Sequence, residues 1–494
     1  MTRAAVIGVD LGTTRIKVGV IAPDGEPLGF ARASHDTDAD PNAGRAEQDP
    51  EAWWRGLAVA VRSALAQAAS DARDDVEPLA ICVTGHGPTL TAVATDGRPV
   101  RPAITWLDTR ARSELAELER ATGLRGWALG VLPAALWLER HEPEAAARTA
   151  WYLNSWEALA LRLCGRPAAT VVPGGTVLPR ETIAGSGLSL DRVPAEVEAG
   201  SLVGGLTSEA AEHLGIPSGT PVVAGLVDAF ASFHGARMLA EGDAIDVGGA
   251  AGGFGVYSSR PVTVRGGFTT PAPLPGLFSV GGAMAATGAA LDWFANAVLG
   301  GATPIDRLID DAAGVEPGSD GLVFLPYLAG ERSPIWDPDA RGAFAGLTLR
   351  HSRAHMTRAI LEAAALAIRH VAAPMLEAGI HVTAMRACGG PSASDDWNQI
   401  KADVTGLTVE VPRVRETAAM GAAILASIGV SAHADLRRAI EAMASIERRF
   451  VPDPIRARTY DRVFEAYVDL YPALAGVLEG RGDAPAATAD GVAA

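Results

Sequence analysis

One pattern occurs twice in this chain, at positions far apart. It consists of an apolar run, a turn rich in glycine and a second apolar run. Apolar runs of this length joined by such turns are typical of β-strands in a hairpin. The first copy comprises residues 4–10 and 15–21 around Gly12-Thr13-Thr14, and the second comprises residues 243–247 and 254–258 around residues 248–253. The repeat predicts an α/β fold with two related half-domains.

Further strand and helix signals lie around these two units. Asp49-Pro50-Glu51 has the N-cap, the first-turn proline and the acidic residue that begin a helix. A chain of 494 residues is too long for a single core. We predict domains at 1–242 and 243–475, and a disordered tail rich in Gly, Ala and Asp at 476–494. Two other predicted helices span 229–238 and 352–378, and a third begins near Ser394. The other predicted strands span 28–33, 79–84, 221–226 and 385–390.

Charge and cysteine content exclude several classes of function. The net charge is −16, and no Lys/Arg cluster can follow a nucleic-acid backbone. Cys82, Cys164 and Cys388 lie far apart in apolar runs, so we expect buried thiols in a reducing compartment. The N-terminal apolar run is broken by Asp10, and no uninterrupted apolar stretch approaches ~20 residues. We therefore expect a cytoplasmic protein without a nucleic-acid or membrane partner.

The turn after Asp10 has the chemistry of a phosphate site. A tight hairpin aligns successive backbone N–H groups, and Gly12, Thr13 and Thr14 let a phosphate approach them. Lys17 can add a positive charge, and Asp10 is placed to hold Mg²⁺ through water. An ordinary hairpin with an acidic residue is the alternative for this motif taken alone.

The second turn favours the phosphate interpretation of the first. Gly248, Gly249 and Gly252 again allow an anion to approach the backbone. The chain has no G-x-x-x-x-G-K-[ST] sequence, which argues against a P-loop kinase, and its likeness to a dinucleotide-binding turn is weak. The pair of turns predicts nucleotide binding.

Asp228 is the candidate catalytic base. It follows an apolar strand and opens a predicted helix, where polar groups face a cleft. Phosphoryl transfer needs a carboxylate within hydrogen-bond reach of the attacking hydroxyl. The alternative is an aspartate that only caps the helix. Glu331, in Gly330-Glu331-Arg332-Ser333-Pro334, is interpreted as a salt-bridged loop acid rather than a site residue.

Two further segments carry groups suited to a sugar. His86 stands between two glycines after a strand, which brings its ring and backbone toward a ligand. Trp106, Asp108 and Arg110 place an aromatic plane, an acceptor and a donor within one turn, as a polyol site requires. The alternatives are a structural histidine and a core tryptophan beside a surface ion pair.

These motifs occur together in an order that resembles the FGGY-type carbohydrate kinases, and among them most closely the xylulose kinases. The resemblance extends to about Leu474, and the set is highly specific although each piece alone is not. The matching segments are Asp10-Leu11-Gly12-Thr13-Thr14, Glu47-Gln48-Asp49-Pro50, Trp106-Leu107-Asp108-Thr109-Arg110, Ala224-Gly225-Leu226-Val227-Asp228, Phe324-Leu325-Pro326-Tyr327, Gly330-Glu331-Arg332-Ser333-Pro334 and Gly389-Gly390.

The resemblance implies two ribonuclease-H-like domains of the actin-like ATPase type, with a hinge and a central cleft. It places the sugar on the first domain and most of the ATP on the second. By position, Asp10 serves Mg²⁺, Asp228 takes the proton of the sugar hydroxyl, and Gly12 to Thr14 bind phosphate. His86, Trp106, Asp108 and Arg110 lie at or near the sugar, and Gly389, Gly390 and Ser394 shape the adenosine pocket.

The chain departs from the family pattern in three places. The second phosphate turn of the family often reads Gly-Thr-Ser-Gly, but here it is Gly249-Ala250-Ala251-Gly252, without hydroxyl groups. Ala229 follows the base where the family often has Asn, and Thr84-Gly85 precedes His86 where the xylulose kinases have Gln-Met. We expect weaker ATP contacts or a slower step, and the two sugar-side changes bear on the substrate.

The sequence therefore predicts transfer of the ATP γ-phosphate to a hydroxyl of a ketose or polyol, with a xylulose-like pentulose as the leading substrate. A sugar-binding regulatory pseudokinase is the alternative that the lost hydroxyls suggest. An actin- or chaperone-like ATPase is a third class, which the segment from Trp106 to Arg110 disfavours. The sugar, the phosphorylated carbon and the oligomeric state, for which a homodimer is one alternative, stay open.

Overall fold

The computed structural model describes residues 2–40, 42–72, 75–172 and 183–478. The helices, in chain order, are α1 Pro50–Ala72, α2 Arg112–Thr122, α3 Leu132–His141, α4 Pro143–Arg148, α5 Ser155–Cys164, α6 Ser208–Leu214, α7 Asp228–Gly235, α8 Thr287–Trp293, α9 Ile305–Ala313, α10 Arg353–Glu377, α11 Asp395–Thr405, α12 Thr417–Gly429, α13 Leu436–Met443 and α14 Pro454–Leu478. The strands are β1 Thr2–Leu11, β2 Arg15–Ile21, β3 Pro27–Ser34, β4 Asp38–Asp40, β5 Arg45–Gln48, β6 Asp75–Gly85, β7 Thr91–Val93, β8 Ala103–Ile104, β9 Trp151–Leu153, β10 Ala169–Val171, β11 Glu196–Glu198, β12 Leu202–Gly205, β13 Pro221–Val223, β14 Asp243–Gly248, β15 Gly252–Ser258, β16 Phe268–Pro271, β17 Phe278–Met284, β18 Val323–Leu325, β19 Ala343–Ala345, β20 Ala384–Gly389, β21 Val409–Pro412 and β22 Ile446–Phe450.

The first large sheet has six strands in the order β12-β13-β6-β1-β2-β3. β1, β2 and β3 pair antiparallel through short turns, whereas β6 lies parallel to β1 on its other side and β13 lies parallel to β6. In this register Asp10 is opposite Lys17 on β2 and opposite Thr84 on β6. The carboxyl ends of β1, β6 and β13 therefore meet at one edge, where ligands bind in open α/β sheets.

The second large sheet repeats this arrangement. Its order is β16-β17-β15-β14-β20-β21-β22, with β14, β15 and β17 antiparallel and with β20 and β21 parallel to β14. The central strands of both sheets thus follow one plan: three neighbouring antiparallel strands, then two parallel strands beside the first of them. This confirms the predicted α/β fold and its two ribonuclease-H-like halves.

Two compact units contain these sheets, and they do not follow a single cut in the chain. The first unit holds residues 1–239, 271–277 and 412–447, and the second holds 240–270, 278–411 and 448–494. The sequence places residues 412–447 in the domain 243–475, but in the structure they belong to the first unit. Periodicity along the chain cannot reveal such a return, because it depends on packing between segments distant in sequence.

Helices cover both faces of the sheet in the first unit. Residues that alternate along β1, such as Ile7 and Val9, pack in a core with Trp53 and Leu57 of α1. On the opposite face, Gly8 lies so close to α12 that a Cβ there would be 2.0 Å from the carbonyl oxygen of Ala419. Helix α12 therefore completes the core that supports β1.

Helix α10 is the only described helix long and apolar enough to cross a membrane by length and composition. Most of its apolar window, 78%, is buried inside the protein. Its apolar residues, including Leu361 and Ile368, belong to cores of the second unit. These observations favour a core helix.

Most predicted elements agree with the structure within a few residues. The strand predicted at 221–226 is shorter, because β13 ends at Val223. All three cysteines are buried and free, as predicted. Residues 476–478 form the end of α14 rather than part of a tail, and residues 479–494 of the predicted tail lie outside the described residues.

Candidate active site

Asp10 and Asp228 lie at the same edge of the first sheet. Asp10 is the penultimate residue of β1, and Asp228 begins α7 just after the chain pairs with the end of β6. In that pairing the N–H of Gly85 donates to the carbonyl of Leu226 at 3.3 Å. Parallel strand ends thus bring together two carboxylates that are far apart in sequence.

Lys17 links Asp10 to a residue of the returning segment. Its Nζ atom lies 3.5 Å from Oδ2 of Asp10 and 2.8 Å from Oε2 of Glu416, the residue before α12. Burial raises the pKa of Asp10 to about 6, although Lys17 acts to lower it. The other carboxylate oxygen of Asp10, Oδ1, is buried and has no hydrogen-bond partner among the described residues.

Asp228 is an acid with a raised pKa at this edge. Its carboxylate is half-buried, and Oδ1 accepts a hydrogen bond from the backbone N–H of Ala229 at 2.7 Å. Burial, together with the negative charge of Asp10, raises the pKa of Asp228 to about 7. A base with a pKa near the working pH accepts a proton efficiently yet is still available in its ionised form.

Side chains hold the backbone of the first glycine turn from behind. The Nε2–H of His35 donates to the carbonyl of Gly12 at 3.0 Å, and the side-chain amide of Gln48 donates to that of Thr13 at 2.7 Å. The backbone N–H of His35 donates to the carbonyl of Thr14 at 3.1 Å. In the described part of the chain no group accepts a hydrogen bond from the N–H of Thr13 or Thr14. The first turn therefore presents unused donors.

Trp106 contacts this turn directly, because its indole N–H donates to the hydroxyl of Thr13 at 3.1 Å. Asp108 and Arg110, from the same segment, use their polar groups within the protein. The carboxylate of Asp108 accepts from Nη2 of Arg110 at 2.7 Å and from the N–H of Ala46 at 2.9 Å. Arg110 also pairs with Glu47. These contacts favour a structural role for Asp108 and Arg110, which fix the loop that carries Trp106.

His86 is buried beside the first turn. Its Nδ1 atom is 2.8 Å from the hydroxyl of Thr89, and its ring packs edge-on against Trp53. Nε2 of His86 has no hydrogen-bond partner among the described residues. Burial lowers the pKa of His86 to about 3, so the ring is neutral at physiological pH. His86 therefore offers an uncharged hydrogen-bonding atom.

The second glycine turn is held by backbone groups of α8. The N–H of Gly288 donates to the carbonyl of Gly249 at 3.2 Å, and the N–H of Ala289 donates to that of Ala250 at 2.9 Å. Gly252, at the start of β15, lies against α8 as well, since a Cβ there would be 2.7 Å from the hydroxyl oxygen of Thr287.

Gly389 lies beside the second turn, and Ser394 caps the helix that follows it. Gly389 has φ 73°, and a Cβ there would be 1.9 Å from the carbonyl oxygen of Gly248. Glycine is thus required both by the dihedral angle and by the close approach. A Cβ at Gly390 would meet nothing within 4 Å. The hydroxyl of Ser394 accepts from the N–H of Trp397 at 3.2 Å and caps α11.

Asp246 is the counterpart of Asp10 in the second half, since each lies two residues before the first glycine of its turn. Asp246 is buried and pairs with the buried Nζ of Lys401 at 2.5 Å. A buried aspartate paired with a buried lysine is typical of a structural ion pair. Asp10 differs, because its Oδ1 atom has no hydrogen-bond partner among the described residues and is available to a ligand.

Comparison with known proteins decides the family. A model of the N-terminal domain of FGGY carbohydrate kinases matches residues 5–172, and a model of their C-terminal domain matches residues 247–430. Together the two matches span most of the chain. The chain belongs to the FGGY family of carbohydrate kinases.

Individual FGGY kinases are similar to the chain over nearly its whole length. Xylulose kinase of Escherichia coli K12 is 30% identical over 489 residues, which cover 95% of this chain and 99% of that protein. Gluconokinase of Bacillus licheniformis is 26% identical over 503 residues, covering 95% and 96%. The crystal structure of xylulose kinase from Rhodospirillum rubrum has a TM-score of 0.79 and 31% identity, and covers 96% of this chain and 99% of that one. This FGGY chain is an ATP-dependent carbohydrate kinase that resembles the xylulose kinases.

Several residues at the two turns of this FGGY kinase were not predicted as site residues. They are His35, Gln48, Glu416, Gly288 and Lys401. Histidine, glutamine and single charged residues are common in any chain, and each of these acts on a turn or aspartate distant in sequence. Only Gln48 carried a signal, as part of the family segment Glu47-Gln48-Asp49-Pro50.

Glu331 is a buried acid in the second unit of the kinase. Its Oε1 atom accepts from the N–H of Ala285 at 2.9 Å and from that of Arg332 at 2.7 Å. Burial raises its pKa to about 7. These contacts are those of a loop acid that fixes the end of β17, where the chain leads into α8. The predicted salt bridge is not formed with any described residue, because backbone N–H groups satisfy the carboxylate instead.

Proposed function

We propose that this kinase transfers the γ-phosphate of ATP to a terminal hydroxyl of a ketose or polyol, with a xylulose-like pentulose as the leading substrate. Asp228 takes the proton of the attacking hydroxyl. The observation that carries this assignment is the position of Asp228 at the edge where β1 and β6 end, beside Asp10, and burial there also raises the pKa of Asp228. The similarity to xylulose kinases supports the choice of substrate.

The first turn and its neighbours are proposed to bind the sugar and part of the phosphate. The unused N–H groups of Thr13 and Thr14 suit phosphate oxygens, and Lys17 supplies positive charge. Trp106 and the partnerless Nε2 atom of His86 suit a hydroxylated substrate. In the second unit, Gly248, Gly249, Gly252, Gly389 and Gly390 are proposed to receive the nucleotide, with Ser394 shaping the adenosine side.

Asp10 fits a magnesium site. Its Oδ1 atom is buried without a partner, and Mg²⁺ characteristically uses one or two carboxylates together with water and substrate phosphates. Among the described residues there is no group of three or more His, Cys, Asp or Glu side chains that could hold a metal ion. Asp10 would hold Mg²⁺, which would neutralise charge on the phosphates, while Lys17 supplies positive charge beside the turn and Asp228 accepts the proton of the hydroxyl.

The experiment that tests this proposal is ADP release from ATP with a panel of pentuloses, hexuloses and alditols. We expect turnover with at least one ketose or polyol, and a loss of about 10²–10⁴ in kcat for Asp228→Asn, the range for a general base. Glu209→Gln, on α6 in an exposed position, is the matched control and should match the wild type. Equal sugar-dependent turnover in Asp228→Asn would show that another group is the base.

The pseudokinase alternative rests only on the missing hydroxyls of Ala250 and Ala251. It gains no support from the described residues, since Asp10, Lys17 and Asp228 are all in place. Calorimetry separates the two functions. Sugar binding without any binding of ATP·Mg²⁺ is the result that favours a pseudokinase.

A further inference from the structure

The carbonyl groups of the second turn have fixed directions. The oxygens of Gly249 and Ala250 accept from the N–H groups of Gly288 and Ala289 at the start of α8. In a planar trans peptide the C=O and N–H bonds point in opposite directions. Because both carbonyls face α8, the N–H groups of the next residues, Ala250 and Ala251, face away from it.

These two N–H groups are available to a ligand. No group in the described ranges accepts a hydrogen bond from either of them. Ala250 is exposed and Ala251 is half-exposed, so water or a ligand can reach the turn. Successive backbone N–H groups pointing the same way form a concave site for anions. The turn therefore has main-chain donors at the two positions where the side chains offer none.

We propose that Gly288 is a positioning residue for nucleotide binding, which aims the N–H groups of Ala250 and Ala251 at phosphate oxygens. This inference rests on the proposed function and deepens it. It explains how the second turn can bind phosphate although its two central residues are alanines. The hydrogen bonds to phosphate come from the backbone, and α8 holds that backbone in the orientation required.

Gly288 is the residue on which this geometry depends, because α8 and the turn are in direct contact there. A Cβ at position 288 would lie 2.2 Å from the carbonyl oxygen of Gly249 and 3.1 Å from its carbon. Both atoms are backbone atoms, so neither can move without moving the turn. Any larger residue at 288 must separate α8 from the turn or rotate the peptide between 249 and 250.

Two variants test the proposal by nucleotide binding rather than by turnover. Gly288→Ala should displace the second glycine turn. Ala289→Pro removes the N–H that donates to the carbonyl of Ala250, and proline is tolerated at this position because it lies in the first turn of α8. We expect roughly tenfold weaker binding of ATP·Mg²⁺ by calorimetry in each, the effect of losing hydrogen bonds to a charged group. Sugar affinity should stay unchanged.

Matched controls distinguish positioning from general damage. Gly314→Ala changes a glycine with φ −79° and nothing within 4 Å of the new Cβ. Asp306→Pro places a proline in the first turn of α9, at an exposed residue. Both controls should bind ATP·Mg²⁺ as the wild type does. Wild-type affinity in both test variants, with circular dichroism showing them folded, would overturn the proposal.

Hydrogen–deuterium exchange on the unaltered protein gives a second readout that needs no variant. The peptide covering 249–252 should exchange rapidly in the free protein, and the amides of Ala250 and Ala251 should become protected on addition of ATP·Mg²⁺. Unchanged exchange at saturating nucleotide contradicts the inference. If the wild type binds no nucleotide at all, the proposed function fails instead, so the two failures are distinguishable.

Discussion

The two glycine turns are equivalent in position but are held by different groups. Side chains of His35 and Gln48 hold the carbonyls of the first turn, whereas backbone N–H groups of α8 hold those of the second. Replacing one side chain can change the conformation of a turn that is held by side chains. This first turn has hydroxyl groups of its own, on Thr13 and Thr14. A turn held by a helix backbone keeps its donors whatever its own side chains are, which is consistent with alanines at 250 and 251.

The aspartates before the two turns also differ in their partners. Oδ1 of Asp10 is buried without a hydrogen-bond partner among the described residues, and Asp10 shares Lys17 with Glu416, whereas Oδ2 of Asp246 pairs with the buried Lys401. We therefore expect the first to control activity and the second to control stability. Replacing each by asparagine is the sharpest way to break the comparison.

Asp10→Asn should have the largest effect on activity. We expect at least about a hundredfold lower kcat, because Asp10 is proposed to hold the Mg²⁺ that would stabilise negative charge in the transition state. The melting temperature should not fall, because burial makes ionised Asp10 costly in the folded protein. Steady-state assays at several Mg²⁺ concentrations measure the first effect and thermal unfolding the second. A large fall in melting temperature would make Asp10 structural as well.

Asp246→Asn should lower stability instead. Removing one partner leaves the Lys401 ammonium buried and unpaired, at a cost of about 3–5 kcal/mol in the free energy of unfolding. The double variant Asp246→Asn/Lys401→Met should recover most of that loss, since it removes both charges. Urea unfolding measures both. If Asp246→Asn is as stable as the wild type but inactive, the two aspartates are functional equivalents and the comparison fails.

The pH dependence of the reaction should follow the ionisation of Asp228, which lies beside Asp10 in the first unit. Asp228 accepts a proton only when ionised, so activity is present above its pKa and is lost as the pH falls through it. With a pKa of about 7, kcat/KM for the sugar should fall about tenfold between pH 6.5 and pH 5.5. An acid limb near pH 4, the ordinary range for aspartate, would show that burial and Asp10 do not act on Asp228 as the structure indicates.

Gln48→Leu should loosen the first turn, because it removes the amide that donates to the carbonyl of Thr13 and to the hydroxyl of Thr37. The same amide accepts from the buried indole N–H of Trp53, so we also expect a lower melting temperature. For the lost bond to Thr13 we expect a several-fold rise in KM for ATP, with a smaller change in kcat. Gln67→Leu is the matched control, because its amide oxygen accepts only from the exposed N–H of Phe30. A KM for ATP that does not change would mean that His35 alone is enough to hold the turn.

Restoring hydroxyls to the second turn should have the smallest effect. In Ala250→Thr and Ala251→Ser, we expect less than about a threefold change in KM for ATP, because the main-chain donors are already oriented. Titration of ATP at fixed sugar measures it. A tenfold gain in affinity would show that the hydroxyls, not the backbone, limit binding at this turn.

The sequence was informative wherever structure is local. Both hairpins, the start of α1 at Pro50 and the long helix α10 follow from periodicity and from turn and capping residues, all read within a few positions. Asp10 and Asp228 were recognised because each ends a buried apolar run. The sequence does not reveal their surroundings, since Glu416 meets Lys17 and Gln48 meets Thr13 only through the tertiary fold.

The same limit explains the sugar-side residues. Trp106, Asp108 and Arg110 form one local kit in sequence, but the fold separates them by function. Trp106 contacts the first turn, while Arg110 pairs with both Asp108 and Glu47. Spacing shows which groups are near, but only packing shows which of them are already satisfied.

The return of residues 412–447 to the first unit has a consequence for how the protein is made. During translation, the segment up to residue 239 leaves the ribosome with both Asp10 and Asp228, but without α12. The face of β1 at Gly8 then stays uncovered, and α7 lacks Gly421, where a Cβ would be 1.9 Å from the carbonyl oxygen of Ala231. Exposed apolar surface of this kind attracts chaperones or leads to aggregation. A truncated message that encodes both Asp10 and Asp228 should therefore yield no working half-enzyme, because the first unit is complete only when residues 412–447 have been made.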